Sequence, residues 1–75
     1  MASTDEPVEE TAHYANGRIK YTGFGLNGAM HGAWSFYRTD GSLMRSGAFD
    51  RGKQVGTWRT FDRSGTVVKE TSFGA

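Results

Sequence analysis

The chain has no cysteine and a single proline, Pro7. Without cysteine, neither a disulfide staple nor a Cys-based zinc site can support a small core. No apolar run approaches the ~18 residues of a membrane span, so no transmembrane segment is expected. The opening stretch, MASTDEPVEETA, lacks the basic and apolar regions of a secretory signal. With cysteine also absent, the expected location is cytoplasmic. Positive charge is missing from that stretch as well: Asp5, Glu6, Glu9 and Glu10 stand there with no Lys or Arg. Residues 1 to 12 therefore read as a disordered acidic lead-in.

What remains, residues 13 to 75, is a mildly basic body. It holds all nine Lys and Arg against Asp40, Asp50, Asp62 and Glu70, a net charge of +5. That is too little, and too scattered, to imply a nucleic-acid partner by charge alone. Glycine supplies 11 of 75 residues and aromatics 13%. A domain this small buries only about 60% of its unfolded surface, so a few large rings must do most of the burying.

The letters GFGLNG at residues 23 to 28 spell G-x-G-x-x-G, the form of a dinucleotide-binding loop. That pattern needs a preceding strand, a following helix and a βαβ unit. Here it is followed by AMHGAWSFY, with Gly32 where a helix interior would be and aromatics that favour strands. The glycines belong instead to a repeat. Gly17, Gly41 and Gly65 stand 24 apart, preceded by Asn16, Asp40 and Ser64 and followed in step by Ile19, Leu43 and Val67. Gly23 matches Gly47, Gly28 matches Gly52, Gly32 matches Gly56, Trp34 matches Trp58 and Tyr37 matches Phe61. Gly25, the glycine that completes the fingerprint, has no counterpart: Phe49 and Phe73 stand there later. No nucleotide or other cofactor is expected.

About two and a half copies of one 24-residue unit follow from this spacing. Asn16-Gly17, Asp40-Gly41 and, more weakly, Ser64-Gly65 read as two-residue hairpin turns with positive φ at both centres. The segments 28 to 32 and 52 to 56 read as looser connections. The five expected strands cover roughly 18–25, 33–38, 43–50, 57–62 and 66–73, an all-β, single-sheet antiparallel meander. Alternation puts Trp34 and Phe36 on one face and Tyr37 on the other, and it separates Trp58 from Phe61. Both faces then carry aromatics unless a bulge intervenes, and one sheet cannot bury two such faces alone. The sheet is expected to curl or to find a partner.

The unit NG-x-I-K-x-x-x-G … NG-x-x-HG-x-W-x-x-Y-x-x-DG resembles the MORN-repeat variant of bacterial proteins labelled antitoxin components. The resemblance covers residues 14 to 73. It implies a repeat-built β-sheet and, for function, scaffolding, protein partners and membrane phospholipids. Two departures stand out. Val55 replaces the His of His31-Gly32, and Gly25 replaces the aromatic, for which a bulge at Phe24-Gly25 is the expectation.

His13 and His31 are the only histidines, too few for a zinc site without several carboxylates. Ser35 or Ser46, His31, and Asp40 or Asp50 supply the inventory of a Ser-His-Asp triad, but a triad is recognised by geometry. No catalytic or metal-binding role is assigned, and the chain is not expected to be an enzyme. The candidate interaction surface is Trp34, Phe36, Tyr37, Trp58 and Phe61, flanked by Arg38, Arg59 and Arg63. These are types enriched at binding hot spots, although the rings serve equally as core. The expected function is a non-enzymatic protein-interaction or self-assembly module, antitoxin-like and homodimeric. The alternative is a binder of anionic surfaces, phospholipid headgroups or nucleic acid, through the basic body. Base stacking on these rings ranks below both.

Overall fold

A computed structural model describes residues 6–74. Among them every regular element is a strand: β1 (Val8–His13), β2 (Ile19–Leu26), β3 (Ala29–Met30), β4 (Gly32–Tyr37), β5 (Leu43–Asp50), β6 (Lys53–Phe61) and β7 (Val67–Phe73). All pairings are antiparallel in one sheet, ordered β1-β2-β4-β5-β6-β7, with β3 beside β2. The sheet is a slab of 46 × 33 × 11 Å. Its radius of gyration, 13.7 Å, exceeds the ~11 Å of a compact chain this long. The described residues form one layer.

The acidic lead-in is a correction. Residues 1–5 lie outside the described residues, but Val8–His13 form an edge strand on β2. Composition misled here because an edge strand needs backbone partners more than apolar side chains. Val8 and Thr11 suit a strand, and Thr11 Oγ meets Thr22 Oγ across the pair at 3.3 Å. The strand count rises from five to seven through β1 and the two-residue β3.

The turns exchange their expected types. At Gly17, Gly41 and Gly65 only the glycine has positive φ, near 90°, and the loops span three residues. Tyr14, Arg38 and Asp62 each donate N–H to the residue four on and accept from the glycine three on. These are three-residue hairpin loops that end in a left-handed glycine. The true two-residue turns lie at the other end, at Asn27-Gly28 (φ 52° and 86°) and Arg51-Gly52 (φ 50° and 93°). There Leu26 faces Ala29 and Asp50 faces Lys53.

Register shifts fall between Ala12 and His13, Phe36 and Tyr37, and Thr60 and Phe61, each just ahead of a three-residue loop, with a fourth at Gly47 between Ser46 and Ala48. Phe24-Gly25 pair in continuous register with Glu9 and Val8 on the β1 side, but on the other side the pairing steps from Thr22–Ser35 to Gly25–Met30, two residues out of step. The irregularity expected there is present on that side only, and it repeats the step from Ser46–Arg59 to Ala48–Val55 at Gly47.

Two side chains make up the buried hydrophobic core among the described residues: Trp34, 2% exposed, and Trp58, 4% exposed. A single sheet hides them by laying each ring across the preceding strand. A Cβ on Gly23 would overlap the Trp34 ring, and one on Gly47 would overlap the Trp58 ring. Each indole N–H then donates to a backbone carbonyl of that strand, Trp34 to Phe24 at 2.9 Å and Trp58 to Ala48 at 3.1 Å. A ring of this size removes ~200 Å² from water, worth about 5 kcal/mol. The two locks are the same construction, 24 residues apart.

Candidate functional site

Six rings gather on one face. Pairing places Tyr21 opposite Phe36, Trp34 opposite Gly47 and Gly32 opposite Phe49, so these residues point to one side of the sheet. Phe36 stacks between the two tryptophans, with centroids 6.0 Å from Trp34 and 6.1 Å from Trp58. Phe49 meets both edge-on, 6.1 Å from Trp34 and 5.1 Å from Trp58. Tyr21 covers Trp34 at 5.5 Å, and Phe73 meets Trp58 edge-on at 6.4 Å. These are geometries favoured by ring quadrupoles. Phe36, Phe49, Tyr21 and Phe73 remain half-buried because no second layer covers them.

The opposite face is small and polar at its centre, with Phe24, 38% exposed, on the same side. Thr22 and Ser35 face each other, as do Ser35 and Ser46, with Arg59 beyond. Both faces therefore carry aromatics, but only one carries a cluster of them. Tyr37 and Phe61 join none of the ring pairs and sit just past the register shifts at the loop end.

The expected arginines do not converge on the rings. Arg38 staples the loop end, donating to Ser42 Oγ and Leu43 O at 3.2 Å each and to Phe61 O. Arg59 pairs with Glu70 at 2.8 Å between neighbouring strands, on the polar side. Arg63 reaches Asp40 at 2.6 Å, from one loop to the next. The cation on the aromatic face is Arg45, whose guanidinium lies 5.5 Å from the Phe36 ring centre and 5.7 Å from that of Trp58. Arg45 was legible in the repeat, since it stands 24 residues after Tyr21 and covers Trp58 as Tyr21 covers Trp34. Lys69 lies beside it, and Arg45, Trp58, Lys69 and Phe73 line one shallow hollow of about 280 Å³.

The loop end forms its own ladder. The Tyr14 hydroxyl donates to Tyr37 O at 2.7 Å and Asn16 to Thr39 O at 2.9 Å. Asp40 accepts from the Ser42 hydroxyl and backbone N–H, and with Arg63 these contacts hold its carboxyl well below the usual range. The Ser64 hydroxyl and the Thr66 N–H lower Asp62 in the same way. Asp62 does the work that Asn16 and Asp40 do in the earlier loops, where Ser64 stands in their place.

His31 links the two-residue turns. Its Nδ1 accepts from the Arg51 N–H at 3.1 Å and lies 3.7 Å from Asp50. Ser35 and Ser46 face one another in mid-sheet, while Asp40 is occupied at the loop end. Among the described residues no group of three His, Cys, Asp or Glu is arranged to hold a metal. No helix among them is long and apolar enough to cross a membrane.

Comparison with family models, with curated proteins and with solved structures returns no match for this chain.

Proposed function

We propose that the chain is a non-enzymatic interaction module, a MORN-variant repeat sheet that self-associates or docks on another protein through its aromatic face. The observation that carries this reading is asymmetry: six rings in contact on one face of a single layer, against the lone ring of Phe24 and a small polar centre on the other. An apolar sheet face is stable when a second layer covers it. A second copy of the chain is the simplest cover, in a closed two-fold pair. An antitoxin-like role would use the same face against a protein partner.

Light scattering across a dilution series tests self-association. The expected result is a dimer mass that falls towards monomer on dilution, with a melting temperature that falls in parallel. Arg45→Glu, an exposed residue beside the rings, should shift the midpoint to higher concentration. A monomer mass throughout, with melting independent of concentration, rules self-association out.

The second reading, an anionic surface, is favoured by Arg45 and Lys69 on the ring-bearing face. Attachment to phosphatidylserine vesicles that is released by added salt would support it over an apolar protein interface, because exposed charges are screened within ~8 Å at physiological salt.

A further inference from the structure

The sheet has two open edges, β1 and β7. Both belong to the same 24-residue spacing as the strands inside it. Val8–His13 lie 24 residues before Gly32–Tyr37, and Val67–Phe73 lie 24 after Leu43–Phe49. Glu10 therefore occupies the position of Trp34 and Trp58, and Thr71 occupies that of Gly23 and Gly47. Inside the sheet, each junction from a glycine-bearing strand to a tryptophan-bearing strand is closed by a ring lying flat on a glycine. A second copy laid against β1 by its β7 would meet the same backbone register with neither half of that lock.

Both departures act in the same direction. Glu10 presents a carboxylate where an indole should reach outwards over the next strand. Its carboxylate turns inwards instead, over Gly25, where a Cβ would overlap it. Gly25 is the position filled by Phe49 and Phe73 in the later units, so the loss of that aromatic and the arrival of Glu10 are one arrangement. At the far edge, Thr71 faces Trp58 in register and carries a Cβ where the lock requires none. Any ring from a neighbour would collide with it, as a Cβ on Gly47 would with Trp58.

We propose that Glu10 and Thr71 are edge terminators, which keep copies of this chain from joining end to end into a continuous sheet. Exposed edge strands are templates for such joining, and Val8 and Val68, 67% and 60% exposed, do little to discourage it. The terminators leave the aromatic face as the surface available for partners. The inference stands on the strand geometry alone and does not require that face to be occupied.

Register makes the test specific. Ser35 pairs with Thr22 and Arg59 with Ser46 at the two internal junctions. One unit further, Thr11 would face Glu70 of a neighbouring copy. Because the chain has no cysteine, Thr11→Cys on one chain and Glu70→Cys on a mass-tagged second chain report that contact as a disulfide on a denaturing gel. Pairing through the aromatic face leaves no covalent trace there. The first chain also carries Glu10→Trp and the second Thr71→Gly, so that each has one repaired edge. Under mild oxidation the mixture should give a one-to-one cross-linked species, at least about tenfold over the pair without the repairs. It should yield nothing larger, since the outer edges remain closed. Equal cross-linking with and without the repairs would overturn the proposal. The unrepaired pair is a test in its own right, independent of how the Glu10→Trp chain folds: efficient cross-linking there means the native edges are open.

Discussion

Gly23 and Gly47 have ordinary strand φ values, so their lack of a side chain is needed for space rather than for backbone freedom. The space belongs to Trp34 and Trp58. Gly47→Ala should therefore lower stability by about 2–3 kcal/mol through overpacking, read as a shift in the urea midpoint. Gly65→Ala is the control: φ is 91° but nothing lies within 4 Å, so about 1 kcal/mol of backbone strain is the expectation. Equal losses at the two sites would mean that ring contact is not what Gly47 provides. Acid supplies a second residue-scale prediction. Asp40 and Asp62 have lowered pKa values in the folded chain, so their stabilisation is complete above about pH 4 and drains away as pH falls further. The urea midpoint should hold near neutrality and decline below that point. Asp40→Asn with Asp62→Asn should lower the midpoint near pH 7 and flatten the acid decline. The glycine and tryptophan positions were visible as a repeat, but nothing in their spacing said that one sits on the other. That relation needs the register between strands, which pairs residues 11 apart.

At the scale of elements, the same dipeptide forms two different turns. Asn16-Gly17 ends a three-residue loop, whereas Asn27-Gly28 is a two-residue turn with both residues left-handed. Asn-Gly announces a hairpin reliably, but loop length is decided by where the flanking strands lock into register. The third unit shows the same local freedom, with Asp62 standing in for the missing Asn or Asp at residue 64. Arg51 is the poorly suited member of these turns, since it holds φ 50° without the side chain that tolerates it. Arg51→Asn should raise stability by about 0.5–1 kcal/mol, seen as a higher melting temperature, because the exposed Arg51–Asp50 pair it removes contributes little. An unchanged or lower melting temperature would point to a structural use for the Arg51 side chain. Strand β1 was illegible for the opposite reason. Its sequence, VEETAH, carries no apolar alternation, because at the rim its acidic side chains remain in water.

Across the whole molecule, strand order follows chain order, and no segment crosses over another. Each strand can find its neighbour by closing a loop of three residues or fewer, apart from the step across β3, and short closures cost the least entropy. A meander pairs strands that are neighbours in the chain, so it should assemble quickly for an all-β chain. With each ring lock coupled only to its neighbours, order can begin at either tryptophan and spread outwards, as it does in linear repeat arrays. The two outermost strands are then the last to join and the first to leave, each held along one side only. Amide exchange in β1 and β7 should accordingly run ahead of global unfolding, while β4 and β5, flanked on both sides, should open only with the whole sheet.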